Sequence, residues 1–194
     1  MAYRFHENMV IWKKAEVWNG FGFFGESRQG KTPLSFAFAR LLFLNGNTEI
    51  KILDDCFTIE DGRISQCKNW GTPNHLGQSY YSLLTEAMKG AHRSVAEIEP
   101  GKVSYPLGKV VAYLLFTGGT EPFKKERCHC QEFVEKLMSS NPFTWDYPKP
   151  GKEVVLQRFK DAWSYFIIHR QKENTRELID LLANQAIADS KLTE

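Results

Sequence analysis

The sequence predicts an α/β fold: three layers built around a parallel sheet, with a C-terminal helical pair. Three observations carry that expectation. Segments that read as strands alternate with segments of helical period between residues 17 and 138, the pattern of a sheet with crossover helices. A glycine-bounded loop joins the first of these strands to the first helix. A stretch rich in proline and glycine then separates this part from two amphipathic segments nearer the C-terminal end.

The elements follow in order. Val17–Phe24 (VWNGFGFF) reads as an aromatic strand weakened by its glycines. Leu34–Leu44 carries apolar residues at helical spacing and closes on Asn45-Gly46, a helix C-terminal signal. Glu49–Asp54 (EIKILD) reads as a strand running into acids, and Ser79–Met88 as a helix stopped by Lys89-Gly90. Lys109–Phe116 is continuously apolar, as a strand buried on both faces would be. Gln131–Met138 places Phe133, Val134, Leu137 and Met138 on one helical face, and Asn141-Pro142 breaks it. Thr144–Lys152 holds Pro148, Pro150 and Gly151, which sets an expected division into residues 1–147, a linker at 148–152 and a helical appendage at 153–194. Within the appendage Val155, Phe159, Trp163, Phe166 and Ile167 form one helical stripe over Glu153–Arg170. Asn174-Thr175-Arg176-Glu177 opens a second helix through Leu178, Leu181 and Leu182 toward Ala188.

With 194 residues, 42% of them hydrophobic, the chain can bury a sizeable core. A net charge of +2 is too even for a protein held by bulk phosphate charge alone. No apolar run approaches the roughly 18–20 residues of a membrane span, so no membrane partner is expected. The opening MAYRFHENMVIWKK lacks the apolar centre of a secretory signal, and the four cysteines do not form a disulfide pattern. A cytoplasmic, reducing setting is therefore expected.

Chemistry enters at Gly25-Glu26-Ser27-Arg28-Gln29-Gly30-Lys31-Thr32, which satisfies G-x-x-x-x-G-K-[ST] at every fixed position. Gly25 and Gly30 permit backbone angles that let successive N–H groups point into a phosphate-sized concavity. Lys31 supplies a mobile charge for the β- and γ-phosphates, and Thr32 a hydroxyl ligand for Mg²⁺. The positive end of the following helix faces the same anion, and Pro33 falls in its first turn, where a missing N–H costs nothing.

On these residues the chain resembles the P-loop NTPase superfamily over Val17–Asp55, and the three-layer P-loop-type sheet is the fold that the resemblance implies. It assigns Gly25, Gln29, Gly30, Lys31 and Thr32 to the nucleotide, ATP or GTP with Mg²⁺. It likens Glu49–Asp55 to a Walker B strand, with Asp54 joining Thr32 on the metal. Lys31, Asp54 and Asp55 become the candidate catalytic residues, acting by positioning and charge neutralisation. Lys51 interrupts the apolar run, and the short spacing from Lys31 to Asp54 also resembles small-molecule kinases of the shikimate kinase type. The loop's form, G-[DE]-S-R-x-G-K-T, is similar to that of replication initiators of single-stranded DNA viruses, which implies an NTPase coupled to nucleic-acid replication or remodelling. Their third motif ends in Asn, whereas Lys109–Phe116 runs into Thr117-Gly118-Gly119, where Thr117 is a weak candidate for the γ-phosphate. The expected partners are thus a nucleotide, nucleic acid and a second copy of the chain, to which Arg158 or Arg170 would carry an arginine finger.

A rival reading rests on His129-Cys130-Gln131-Glu132-Phe133-Val134. It resembles the cysteine motif of NlpC/P60-type papain-like hydrolases, in which a cysteine opening a helix is the nucleophile. No histidine stands at the spacing its base requires, leaving His75 or His92 as substitutes. Cys128-His129-Cys130 lacks the reach of a zinc-binding pair. Lys124-Lys125-Glu126-Arg127 reads as a solvated turn before a helix, with a lid over phosphates or an arginine finger as its functional alternative.

Overall fold

In the computed structural model of the chain, which describes residues 5–53, 57–66, 75–88, 103–140 and 150–193, the glycine-bounded loop leaves the end of an interior strand. That strand, β2 (Val17–Gly25), is reached from β1 (Asn8–Lys14) through a tight turn in which Ala15 takes a left-handed φ of 54°. β1 pairs antiparallel with β2, Asn8 facing Phe23, and antiparallel with β3 (Ile50–Leu53) on its other side. β2 and β3 therefore run in the same direction. On the opposite flank β2 pairs in parallel with β6 (Ser104–Thr117), placing Gly25 beside Leu115.

β6 is long enough to serve two partners. Its first residues pair antiparallel with β5 (Arg63–Gln66), which forms a hairpin with β4 (Phe57–Glu60). Its second half pairs in parallel with β8 (Ser164–Arg170), whose outer neighbour is the antiparallel β7 (Phe123–Cys128). The sheet is thus mixed and open. Among the described residues the expected parallel pairing is realised in β2, β6 and β8, and the other strand pairs are antiparallel.

Alternation along β6 divides the core. Val111, Tyr113 and Leu115 join Phe21 and Phe23 under α1 (Lys31–Leu44), α2 (His75–Met88) and α5 (Arg176–Ser190). Val110, Ala112 and Leu114 face the other way, toward Phe133 and Leu137 of α3 (Cys130–Ser139), Val155 of α4 (Lys152–Leu156) and the β4–β5 hairpin. There Phe5, Phe24, Phe57, Phe133 and Phe159 meet edge-on or tilted at centroid separations from 5.6 to 6.3 Å. Each such ring, fully buried, contributes about 2–3 kcal/mol from area alone.

Two expectations are corrected. The helix read over Glu153–Arg170 is a five-residue α4 followed by β8, so the C-terminal part holds no pair of long helices. Val155, Phe159 and Trp163 do face the core, but at spacings that mimic a helical stripe, whereas Tyr165–Ile168 are buried on both sheet faces. The charge run Lys124–Arg127 is not a turn but the middle of β7, an edge strand whose charges discourage pairing with another chain. The expected linker lies partly in residues 141–149, outside the described residues.

Candidate phosphate-binding site

Gly25 ends β2 at φ 139°, and a Cβ there would lie 2.6 Å from the carbonyl oxygen of Leu115 on β6. The position therefore admits only glycine, and the chain turns out of the sheet at once. Glu26, Ser27 and Arg28 are exposed, Arg28 in the left-handed region at φ 66°. Gly30, at φ 77°, is the N-cap of α1, and no side chain caps the helix. Lys31 and Thr32 are its first residues. The loop thus presents an uncapped helix N-terminus directly after an interior strand with a parallel neighbour, an arrangement suited to an anion.

Lys31 is nearly buried, and its side chain arches back over the loop. Nζ donates to the carbonyl oxygens of Gly25 at 2.5 Å and Glu26 at 3.0 Å, fastening the loop's first residues to the helix that follows. It also lies 3.1 Å from Oε2 of Glu7, just ahead of β1. Glu7 is fully buried. Its Oε1 accepts from Gly25 N at 3.3 Å, while Oε2, though close to the ammonium, accepts no aligned hydrogen bond. Burial pushes the Glu7 carboxyl up from 4.5 to about 7 against the pull of Lys31 and the Gly25 N–H. Near neutral pH the lysine is therefore only partly neutralised by its neighbour. The next residue, Asn8, donates to Thr32 Oγ1 at 3.3 Å.

The other flank is built by β8 and the turn after it. Arg170 is fully buried. It donates through Nη2 to Gln29 Oε1 at 3.2 Å and through Nη1 to the Gln171 carbonyl at 3.1 Å. Asn174 donates to the Arg28 carbonyl at 2.8 Å, and its Oδ1 lies so near Gly30 that a Cβ there would approach to 2.5 Å. Thr175 then caps α5 by accepting from Leu178 N at 3.1 Å.

The structure therefore brings Gly25, Gln29, Gly30, Lys31 and Thr32 together. Asp54 and Asp55 lie outside the described residues; Leu53, the end of β3, pairs with Met9 beside Asn8. Glu7 and Asn8 were not singled out by sequence, although an acid and an amide opening an apolar run were there to be read. Arg170 lies against this chain's own loop. Arg158 is remote from it, 3.6 Å from Glu60 and 3.9 Å from Asp61. Thr117 pairs with Arg170 across the β6–β8 register.

Cys130 opens α3 as expected, beside a cavity of about 400 Å³ lined by Arg127, Cys128, His129, Cys130, Asp161, Trp163 and Tyr165. Burial pushes the Cys130 thiol up and the Cys128 thiol to about 11, opposite to what a nucleophile requires. His75 lies on α2, and His92 is outside the described residues. No described helix is long and apolar enough to cross a membrane. The chain matches no model of a known protein family, and no curated protein matches it.

Proposed function

We propose that the chain binds a magnesium nucleoside triphosphate, ATP or GTP, through Gly25–Thr32 and hydrolyses it, in a domain of the P-loop type. One observation carries the reading: Lys31 opens a helix immediately after an interior strand with a parallel neighbour, its ammonium fastened across the loop. Thr32 is the hydroxyl ligand offered to Mg²⁺, with Asp54 as the second. The chemistry of the donors fits that role: the Thr32 hydroxyl stands in the first turn of α1 beside Asn8, and the buried Glu7 carboxylate lies 3.1 Å from Lys31 at the same end of the loop. Magnesium would draw charge from the terminal phosphates, while Lys31 and the α1 N-terminus orient them. The process we propose to be coupled to hydrolysis is nucleic-acid replication or remodelling, supported by the loop's resemblance to viral initiators.

Calorimetric titration with Mg-ATP tests the binding step. Lys31→Ala should weaken affinity at least about tenfold, or about 1.4 kcal/mol. Removing Lys31 also strands the buried Glu7, so Lys31→Ala/Glu7→Gln serves as the fold control. Equal affinity in the wild type and both variants would refute the reading.

A further inference from the structure

We propose that Arg170 forms a second cationic wall of the phosphate cradle: a guanidinium set in the core without a counter-ion among the described residues, balanced when phosphate occupies the loop, and acting on that phosphate through Gln29. The inference rests on the nucleotide reading above. Alternation along β8 sends Arg170 to the same sheet face as Phe166 and Ile168, the face covered by α1. Its guanidinium therefore ends beneath the loop.

Nη2 holds Gln29 and Nη1 holds the Gln171 carbonyl, but buried Nε has no acceptor. Among the described residues no carboxylate pairs with Arg170. Burial accordingly lowers its pKa. A desolvated cation with no acid beside it is costly to fold, and a charge kept at that cost belongs where an anion arrives. Arg158 provides the contrast, because it has both Glu60 and Asp61 close by. The turn after Arg170 grips the same loop a second time, through Asn174 and the Arg28 carbonyl, with Asn174 Oδ1 also left without a donor. Thr175 then starts α5, so loop occupancy is tied to that helix.

Arg170 acts on the site through Gln29, which makes it a positioning residue. It fixes the loop's shape from beneath and adds positive potential where water cannot screen it.

The test is calorimetric titration of Mg-ADP into the full chain, paired with nucleotide-free melting temperatures. Arg170→Met should bind about tenfold more weakly yet melt at or above the wild-type temperature, since it removes an uncompensated buried charge. Arg170→Lys keeps the charge but loses the fork, and should recover to within roughly threefold of wild type. Gln29→Met keeps the buried charge and cuts the tether, and should weaken binding by about threefold or more.

A purely packing role would lower the melting temperature and would not be rescued by lysine. Wild-type affinity in Arg170→Met, with binding lost in Lys31→Ala, would overturn the inference and leave the nucleotide reading standing. If Arg170→Met does not fold, unchanged affinity in Gln29→Met overturns it equally. A wild-type chain that fails to bind Mg-ADP would overturn the nucleotide reading and this inference with it.

Discussion

Glu7 binds its proton more tightly in the folded chain than in the unfolded one, because burial raises its pKa from 4.5 to about 7. The stability this group contributes is therefore complete below pH 4.5 and is lost as pH rises through about 7. The shift corresponds to about 3 kcal/mol. Urea unfolding at pH 5 and pH 8 should show the nucleotide-free protein weakening across that interval, and Glu7→Gln should remove most of the slope. An unchanged slope in the variant would assign the pH dependence to other groups. Gly30 makes a second prediction at this scale. Its φ of 77° and the closeness of Asn174 Oδ1 leave no room for a side chain. Gly30→Ala should cost about 2 kcal/mol and displace the 174 side chain from the loop. A melting temperature equal to wild type would show the loop to be more yielding than its packing implies.

Besides its apolar face, α5 is tied to the sheet near its C-terminal end by a polar cluster, and the strength of that tie can be measured. Tyr113 on β6 donates to Asp189, and Lys125 on β7 donates to both Asp189 oxygens at 2.8 Å. Asp189→Ala should destabilise the protein by about 2 kcal/mol, since it leaves the buried Tyr113 hydroxyl without an acceptor. A change in urea midpoint worth less than a quarter of that would mean that the hydroxyl finds another partner. The elements most legible in the sequence are those with local signals. α1 follows a glycine loop and ends on Asn45, while α5 has the Thr175 cap and a Leu178–Leu182 face. β1 and β8 were not legible, and the reason is burial. Met9–Trp12 and Tyr165–Ile168 are covered on both sides of the sheet, so they show no alternation. Phe159, Trp163 and Phe166 then fall at spacings near four and imitate a helix. The same blind spot hid half of the candidate site. The loop announces itself by its glycines and lysine, but Glu7 and Arg170 gain their roles only when β1 and β8 enter the sheet on either side of β2 and β6.

The chain from residue 152 onward supplies β8 to the interior of the sheet and α5 to the cover of α1. Deleting residues 152–194 should therefore expose the partner edge of β6 and the Phe166-facing core, giving an aggregated product instead of a smaller active one. A soluble monomer with unchanged nucleotide turnover would show that the first part closes its own sheet. The central claim is that phosphate is held by the loop between β2 and α1, and amide chemical shifts report on that most directly. Titration of the ¹⁵N-labelled chain with Mg-ADP should move the Gly30, Lys31 and Thr32 resonances most, with Gln29 and Asn174 following through their contacts to the loop. Largest changes around His129 and Cys130, or none at Gly30–Thr32 at saturating nucleotide, would contradict the account.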